Sequence, residues 1–504
     1  MRECWLGIDL GTSACKVLAI DAKGRVLTSS VREYPVVTSR PGWAEQDPAR
    51  WWQATDEAVR ELLGRLPDGS EVRGFGLCGQ MHGLTPLDAQ RRVIRPAILW
   101  NDQRAAPQCA EITERAGGLP GLLELVQNRM LPGFTAGKIL WLREHEPAAY
   151  ERMRHLVNPK DFLRVQMTGE LMTEVSDASG TGLFDVRNRR WSAGLLELLD
   201  VPEELLPQVV ESHEPTGTLL PEVAERWGLP SSTPVFGGGG DAVIQTTSMG
   251  IIDSGLVGIT LGTAGIVAGA SATCPERVDG TLQISCGNAA DRWHVMGVSL
   301  VAGGAFQWLR DALRPLTGAQ LDYGRLVELA RRAPAGSEGL LFLPYLLGER
   351  CPHVAPDARG SWVGLTPMHS TAHLARSVLE GVLLNLREIV EVCESTGLDC
   401  SEVRVSGGAT VEPLWLQMLA DVLQREVVTV TGAAEGGAYG AALLAGVGLG
   451  ELGSVTDATA LVKETSRFSP EPADAEVYDG AYAVHRRLYD TLEPTFAELA
   501  GARP

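Results

Sequence analysis

The 504-residue sequence contains no uninterrupted apolar run of about 18 residues, which a membrane-spanning helix needs. The N-terminus runs from Met1, Arg2 and Glu3 into a strand-like segment, without the basic start, apolar core and cleavage site of a signal peptide. The nine cysteines are scattered and form no C-x-x-C pair, so neither a disulfide framework nor a zinc site is indicated. These absences predict a cytoplasmic protein with no membrane partner.

Positive charge is also scarce. Lys and Arg total 44 against 63 Asp and Glu, which gives a net charge of −19. A field of this sign repels the phosphates of DNA and RNA, so we expect no nucleic-acid partner. Any nucleotide site must then be built from backbone N–H groups, a few local cations and Mg²⁺. Such a site is expected to appear as glycine-rich turns rather than as a basic stripe.

What the sequence does contain is ample core material. Hydrophobic residues make up 44% and charged residues 21%, as in average soluble globular proteins. A chain of this length exceeds what one hydrophobic core usually serves, so we expect two or three domains, with two large lobes as the best fit.

Two short glycine turns share a pattern. The first lies between strand-like segments 4–8 and 16–21, and the second lies within a strand–turn–strand segment over 256–268. Without gaps, residues 7–13 (GIDLGTS) match residues 258–264 (GITLGTA) at both glycines, the isoleucine, the leucine and the threonine. Two lobes of common design would leave such a repeat, although a chance match stays open.

The first turn places one carboxylate beside small and hydroxyl-bearing residues. Asp9 is suited to hold Mg²⁺, while backbone N–H groups of Gly11, Thr12 and Ser13 meet phosphate oxygens. A side chain at the glycine would keep a phosphate from reaching the amides. We assign Lys16, on the following strand, to the same nucleotide site. The alternative is an ordinary tight hairpin, in which these residue types are all common.

The second turn lacks the acid, because Thr260 stands where Asp9 stands in the first. Gly262 and Thr263 retain the residue types that contact phosphate, so we assign both to the nucleotide site. The two turns are therefore expected to have similar shapes and different roles, with only the first on the metal side.

Asp241 follows four consecutive glycines, Gly237 to Gly240. Such a run lets the backbone approach a ligand closely while the single acid points at it. A carboxylate there could accept the proton of an attacking hydroxyl, as an Asp does in many phosphoryl transfers. The structural alternative is that Asp241 caps a helix over 243–249.

Two further glycine pairs, Gly407-Gly408 (followed by Ala409) and Gly436-Gly437, each lie between a β-rich segment and a helix-like one. This arrangement allows an adenosine group to pass close to a helix N-terminus. Glycine also simply caps helices and turns, so the pattern alone leaves both interpretations open.

Other motifs are weaker or fail. Met81-His82 lies in the segment GQMHG (79–83) at a strand end, where loops tend to carry function, although a lone His is more often structural. Segment 133–139 (GFTAGKI) has one residue too few between its glycines for a Walker loop, and Ile139 stands where Ser or Thr binds Mg²⁺. No G-x-S-x-G nucleophile elbow occurs.

Together the motifs resemble the FGGY carbohydrate kinases over nearly the whole chain. The matching segments are 7–13 (GIDLGTS), 42–48 (GWAEQDP), 79–83 (GQMHG), 100–104 (WNDQR), 176–181 (SDASGT), the glycine-rich approach to Asp241, and 261–263 (LGT). Seven matches in order are far more specific than any one. Three of them, 79–83, 100–104 and 176–181, are similar to the branch that phosphorylates D-xylulose rather than to the glycerol and ribulose branches.

The resemblance implies an α/β chain with an actin-like ATPase fold, in which two ribonuclease-H-like lobes surround a central cleft where ATP and sugar meet. It implies Mg²⁺-dependent transfer of the γ-phosphate of ATP to a terminal sugar hydroxyl, with Asp241 as the general base and Asp9 as the metal-side acid. The residues implied for the sugar pocket are Gln80, Met81, His82, Trp100, Asn101 and Asp241.

We divide the chain accordingly into residues 1–247 and residues 248–504. The first part is assigned the sugar site, the first phosphate turn and the catalytic acid. The second part is assigned the second phosphate turn and, through Gly407, Gly408 and Ala409, the adenosine site. The expected partners are a small sugar and ATP; a homodimer is compatible with the sequence, which does not determine the oligomeric state.

Two residues depart from the family pattern. Ala242 stands where the D-xylulose branch usually has Asn, so an amide that would hydrogen-bond a sugar hydroxyl is missing. Loss of one polar partner can cost about 1 to 3 kcal/mol with a given substrate, enough to alter preference. Ala264 stands where Ser is common and removes a hydroxyl but no backbone N–H. A kinase for another ketose or polyol, and a non-catalytic actin-like sugar or ATP binder, stay as alternatives.

Overall fold

A computed structural model of the protein describes residues 2–276, 279–317 and 321–501. The chain forms two compact units. The first unit comprises Met1–Ile252, Ser271–His294 and Glu435–Lys463, and the second comprises Asp253–Ala270, Val295–Ala434 and Glu464–Pro504. Two segments from the second half of the chain thus belong to the first unit, which a single division after residue 247 does not capture. The assignment of roles to the two parts stays a prediction.

The strands, named in chain order, are mostly short. They are β1 (Arg2–Leu10), β2 (Ala14–Asp21), β3 (Val26–Glu33), β4 (Glu45–Gln46), β5 (Ser70–Gly79), β6 (Thr85–Leu87), β7 (Ala97–Ile98), β8 (His155–Val157), β9 (Met172–Glu174), β10 (Phe184–Asp185), β11 (Arg190–Trp191), β12 (Gln208–Val210), β13 (Pro215–Thr218), β14 (Pro234–Phe236), β15 (Gly239–Gly240), β16 (Leu256–Leu261), β17 (Gly265–Ser271), β18 (Gln283–Cys286), β19 (Trp293–Ser299), β20 (Leu341–Leu343), β21 (Ser361–Val363), β22 (Glu402–Ser406), β23 (Glu426–Val430) and β24 (Glu464–Phe468).

Helices separate these strands, with short 3₁₀ turns at Glu203–Leu205, Ala335–Gly339 and Gly408–Val411. The α-helices are α1 (Pro48–Arg65), α2 (Ala106–Arg115), α3 (Leu119–Val126), α4 (Thr135–His145), α5 (Pro147–Arg152), α6 (Pro159–Thr168), α7 (Val175–Ser179), α8 (Ala193–Leu199), α9 (Pro221–Trp227), α10 (Asp241–Ser248), α11 (Gly303–Thr317), α12 (Tyr323–Ala330), α13 (Thr371–Ser395), α14 (Pro413–Leu423), α15 (Gly437–Gly448), α16 (Val455–Thr459) and α17 (Pro472–Gly501). Within the described ranges, no helix combines the length and the apolar character that crossing a membrane requires.

The main sheet of the first unit has the strand order β3-β2-β1-β5-β14-β13. Strand β1 is antiparallel to β2 and parallel to β5. Its side chains alternate between two buried faces, as the strand period requires: Leu6 and Ile8 share an apolar cluster with Trp51 of α1, whereas Trp5 lies against Gly446 of α15. Burial on both faces explains why the strand is apolar nearly throughout.

The second unit repeats this design. Its strands run in the order β19-β17-β16-β22-β23-β24, with β16 antiparallel to β17 and parallel to β22. Strand β23 is parallel to β22 and antiparallel to β24, as β14 is parallel to β5 and antiparallel to β13. The two aligned glycine turns therefore occupy equivalent places in two sheets of the same strand order, and the repeat read from the sequence is confirmed.

Helix α15 approaches the first sheet unusually closely. A Cβ atom at Gly7 would overlap the carbonyl oxygen of Ala438, and one at Gly76 would overlap that of Ala441. Glycine on β1 and β5 thus lets the helix backbone rest directly on the strand backbone. Its N-terminal residue, Gly437, is placed beside the end of β1.

Candidate active site

Asp9 lies near the end of β1, opposite Lys16 in the β1–β2 register. The thiol Sγ of Cys78, on the neighbouring β5, donates a hydrogen bond of 3.2 Å to Oδ1 of Asp9. Burial raises the pKa of the Asp9 carboxyl above its ordinary value, and the Cys78 hydrogen bond and the Lys16 charge offset only part of that rise. The sequence did not single out Cys78, because only the tertiary pairing of β1 with β5 places its thiol there.

Neighbouring side chains donate hydrogen bonds to the carbonyls of the turn after β1. Tyr34 donates from its hydroxyl to the Gly11 carbonyl at 2.5 Å, and Gln46 donates from Nε2 to the Thr12 carbonyl at 2.7 Å. The Gly11 amide donates to Ala14 O at 2.9 Å, so this predicted phosphate contact is used within the turn. Among the described residues, the amides of Thr12 and Ser13 donate to no protein acceptor. The turn can therefore offer two adjacent N–H groups to an anion.

Asp241 is the first residue of α10, and Gly240 occupies the N-cap position. The alternative that Asp241 itself caps the helix is therefore wrong. Burial, followed by the nearby Asp9 charge, raises the pKa of Asp241 to about 7, although backbone N–H groups of Ala242 and Met81 donate to its carboxylate. The fold thus brings the two predicted carboxylates close enough to influence each other, and it places the Met81 amide on one of them.

The four glycines before Asp241 serve packing within the protein. Gly238 has a φ of 77°, and a Cβ there would overlap the Leu77 carbonyl. A Cβ at Gly240 would lie 2.5 Å from Cγ of Met81. Strand β15 pairs directly with β5 through Gly239 and Gly240. Close packing within the protein therefore accounts for these glycines, whereas the sequence predicted that they allow a ligand to approach the backbone.

The Met81-His82 loop follows β5. His82 has a φ of 69°, a conformation that non-glycine residues rarely adopt. Its ring stacks on Phe134 with centroids 4.7 Å apart, and Nδ1 lies 2.5 Å from the Gly180 carbonyl oxygen. Because a carbonyl can only accept, Nδ1 carries the proton in this pair. Strain held by several contacts at a loop of this kind is a mark of functional sites.

Lys138, on α4, is fully buried beneath this loop. Its Nζ donates to His82 O at 2.8 Å and to Gly133 O at 2.6 Å. Desolvation lowers the pKa of its ammonium group to about 7. In the sequence, Lys138 is part only of a segment that fails the Walker pattern. The structure shows that it anchors the His82 backbone instead.

The remaining predicted sugar residues lie at different depths. Trp100 is 45% exposed and donates from Nε1 to Thr12 Oγ1 at 2.9 Å, next to the first turn. Asn101 is exposed. Gln80 is fully buried and donates from Nε2 to Gln46 Oε1 at 3.1 Å, so it supports the turn from below.

In the second unit, the turn between β16 and β17 adjoins a pocket of about 620 Å³. Four of the predicted residues line it: Gly262, Thr263, Gly408 and Ala409. Gly407, directly before Gly408, has a φ of 95°. A Cβ at Gly407 would lie 2.5 Å from Leu261 O, so this glycine lets the 408–411 turn approach β16. Aromatic and aliphatic side chains, namely Phe306, Tyr323, Val327 and Trp415, line most of the rest, together with the polar Gln307 and Glu412. An apolar pocket rimmed by glycine turns suits a planar base.

The other glycine pair has a different location. Gly436-Gly437 belongs to the first unit, where a Cβ at Gly437 would overlap Sγ of Cys78 and lie 3.2 Å from Oδ2 of Asp9. The pair therefore borders the Asp9 carboxylate rather than the pocket lined by Gly408. Gly436 is the N-cap of α15, which agrees with the capping interpretation that the sequence left open beside the adenosine one.

Among the described residues, no cluster of three or more His, Cys, Asp or Glu side chains could hold a metal ion. A single carboxylate fits Mg²⁺ nonetheless, since Mg²⁺ is commonly bound by one or two carboxylates together with substrate phosphates and water. Asp9, near the end of β1, is one such carboxylate.

Comparison with known proteins identifies the family of the chain. The FGGY family of carbohydrate kinases matches over residues 4–248 for its N-terminal domain and 257–449 for its C-terminal domain. The xylulose kinase of Escherichia coli K12 is 38% identical over 98% of this chain and 100% of the relative.

Solved structures show the same likeness. A xylulose kinase from Rhodospirillum rubrum has a TM-score of 0.90 and 31% identity, covering 98% of this chain and 100% of that one. A gluconate kinase from Lactobacillus acidophilus has a TM-score of 0.93 and 25% identity, covering 99% and 100%. The protein therefore belongs to the FGGY family of carbohydrate kinases, has the actin-like ATPase fold of that family, and is a xylulokinase-like member of it.

Proposed function

We propose that the protein transfers the γ-phosphate of ATP to the terminal hydroxyl of D-xylulose, giving D-xylulose 5-phosphate. The observation that carries the proposal is the pair of carboxylates in the first unit. Burial and the Asp9 charge raise the pKa of Asp241 to about 7, and the Asp241 carboxylate accepts a hydrogen bond from the Met81 backbone N–H. The xylulose kinase named above, 38% identical over nearly the full length, supports the choice of sugar.

Asp241 is the proposed general base. It accepts the proton of the sugar hydroxyl as that oxygen forms its bond to the γ-phosphorus, while the bond from phosphorus to the β,γ-bridging oxygen breaks and ADP leaves. A pKa of about 7 suits this step, because a base works best when its pKa lies near the operating pH. The Met81 and Ala242 amides hold the carboxylate in place.

Asp9 is the proposed metal-side acid. Bound Mg²⁺ would neutralise charge on the transferring phosphate, and Asp9 is the carboxylate that would hold it. The Thr12 and Ser13 amides are proposed to contact phosphate oxygens. The pocket lined by Gly262, Thr263, Gly408 and Ala409 is proposed for adenosine, and the Met81-His82 loop with Trp100 and Asn101 for the sugar.

Asp241→Asn and Asp241→Ala test the base. Removing a general base typically costs about 10²- to 10⁴-fold, and we expect kcat to fall by that factor. ATP affinity, measured by calorimetry, should stay within about twofold, because the adenosine pocket is untouched. A variant that keeps a substantial fraction of the wild-type rate would contradict the assignment.

A kinase for another ketose or polyol is the second candidate, and Ala242 is the observation that favours it. Its methyl group offers no hydrogen bond to a sugar, and gluconate kinase is among the structural neighbours. A coupled assay of ADP release with xylulose, ribulose, glycerol and gluconate separates the two. Xylulose turnover no better than that of the other sugars would contradict the assignment of D-xylulose as substrate. ATP hydrolysis independent of sugar would favour an actin-like ATP-binding protein that does not phosphorylate sugars.

We also infer a cytoplasmic location. A homodimer stays a prediction, which light scattering would test.

A further inference from the structure

The segment 176–181 (SDASGT) forms most of α7 and the two residues after it. Glu174 caps α7 by accepting the backbone N–H groups of Ser176 and Asp177. Its carboxylate also accepts the hydroxyls of Ser176 at 2.7 Å and Ser212 at 3.0 Å. All of these residues are buried. The Ser176 hydroxyl therefore commits its proton to a buried acid and can act toward other groups only as an acceptor.

The group that uses this acceptor is the amide of Gly240. Gly240 donates from its backbone N to Ser176 Oγ at 3.0 Å. It is the N-cap residue of α10, directly before Asp241. The hydroxyl thus fixes the peptide that leads into the proposed base. Asn288 reinforces the contact by donating from Nδ2 to Ser212 Oγ at 3.0 Å and to Ser176 Oγ at 3.4 Å.

The opposite end of α7 contacts the Met81-His82 loop. The carbonyl of Gly180, its C-cap, accepts from Nδ1 of His82 at 2.5 Å. A Cβ at Gly180 would lie 2.7 Å from Cε of Met81 and 2.8 Å from Nδ1 of His82. The φ of Gly180 is −75°, a conformation that any residue can adopt. Glycine is therefore needed here because the space is filled by Met81 and His82, and not because of the backbone conformation.

Buried charged side chains surround this element. Lys160 lies 3.5 Å from Asp177 Oδ2 and 4.0 Å from Glu174 Oε1, and it donates to Asp161 at 2.6 Å. Arg164 donates to the carbonyl of Gly237 at 2.8 Å, at the start of the glycine run. Ion pairs and hydrogen bonds are stronger in a low dielectric, so these contacts favour one position of the element, although Oδ2 of Asp161 and Oδ2 of Asp177 accept no hydrogen bond within the described part of the chain.

We propose that Ser176 and Gly180, near the two ends of α7, position the active site by setting the start of α10 at Asp241 relative to the Met81-His82 loop. Ser176 positions the proposed base through Gly240, and Gly180 positions His82 directly. The inference rests on the proposed function, since it takes Asp241 as the base and His82 as a sugar contact. It assigns neither Ser176 nor Gly180 to the chemistry itself.

Ser176→Ala and Ser179→Ala form a matched pair. Ser179 lies on the same helix, donates to Val175 O at 2.7 Å and accepts from the Cys286 amide at 3.0 Å, so both substitutions remove one donor and one acceptor from a buried site. Of the two, only Ser176 contacts the residue before Asp241, by accepting from the Gly240 amide. We expect Ser176→Ala to lower kcat by about tenfold to a hundredfold, the scale of a small misplacement of a catalytic group, with KM for ATP within twofold. Ser179→Ala should keep kcat near wild type at a similar loss of melting temperature.

Gly180→Ala tests the other end, and it also serves if Ser176→Ala fails to fold. The added methyl group must displace Met81 or His82, so KM for the sugar should rise about tenfold or more while KM for ATP is unchanged. Gly64→Ala on α1, where a Cβ meets nothing within 4 Å, is the control and should change neither constant.

Asp241→Asn, assayed beside these variants, separates the two proposals. If Asp241→Asn retains its rate, the proposed function fails. If Asp241→Asn is inactive while Ser176→Ala matches Ser179→Ala in kcat, the positioning role of Ser176 is overturned. An unchanged sugar KM in Gly180→Ala overturns the role of Gly180.

Discussion

The thiol of Cys78 and the carboxylate of Asp9 form a hydrogen bond of 3.2 Å between adjacent parallel strands. The Cys78 side chain is fully buried, and the pair lies beside Gly437 at the start of α15. The thiol is therefore a donor that stabilises the ionised form of an acid which burial otherwise drives toward the protonated form.

Cys78→Ala should raise the pKa of Asp9 further, because a hydrogen bond to the carboxylate is lost. A hydrogen bond is worth about 0.5 to 1.5 kcal/mol, so the Mg²⁺ concentration for half-maximal activity should rise by about two- to tenfold. The acidic limb of the pH–activity profile should move to higher pH, since the proposed role of Asp9 in holding Mg²⁺ requires its ionised form. Cys78→Ser keeps a donor and should stay near wild type; equal behaviour of the two variants would contradict this role.

Asp241→Asn should stabilise the protein without ligands at pH 8. The folded state raises the pKa of Asp241 from 3.8 to about 7, so the stability that the protonated acid confers is full below about pH 4 and is lost as the pH rises through 7. Asparagine is neutral throughout and escapes this loss. We expect the free energy of unfolding to increase by at most about 4 kcal/mol at pH 8 and to change little near pH 4. Urea unfolding at both pH values measures this, and a gain that does not depend on pH would refute the explanation.

Gly408→Val should weaken ATP binding alone. Gly408 lines the pocket of the second unit, and a Cβ there meets nothing within 4 Å, so the new side chain fits the protein but occupies the pocket. KM for ATP should rise about tenfold or more, whereas KM for the sugar should not change. Gly480→Val on α17, at a position equally open, is the matched control. An unchanged ATP KM would show that adenosine binds elsewhere.

Ala242→Asn should shift sugar preference toward D-xylulose. Ala242 follows the proposed base at the start of α10, where the added amide could meet a sugar hydroxyl. A hydrogen bond gained at a polar substrate group is worth about 1 to 3 kcal/mol, so kcat/KM for xylulose relative to ribulose should rise at least about fivefold. The sugar panel under identical conditions measures the ratio. A lower ratio would mean that the native alanine suits a different sugar.

The sequence alone determined the two repeated turns, their flanking strands and the two isolated acids at 9 and 241. These features are local: a strand shows in its alternating apolar residues, and a turn shows in the glycines that permit it. The relation between the two sheets could also be predicted, because the two turns carry the same residues in the same order.

Only the tertiary structure decided which neighbours the glycines and buried side chains serve. The run before Asp241 predicted close approach of a ligand, and the pair Gly436-Gly437 left ligand contact and capping both open; in the structure both sets of glycines allow the chain to approach itself. A missing Cβ signals close approach but does not say by what. Lys138 reaches the carbonyl of His82, 56 residues away, and Cys78 reaches Asp9, 69 residues away. Such long-range contacts depend on how strands and helices pack, which no short sequence pattern records.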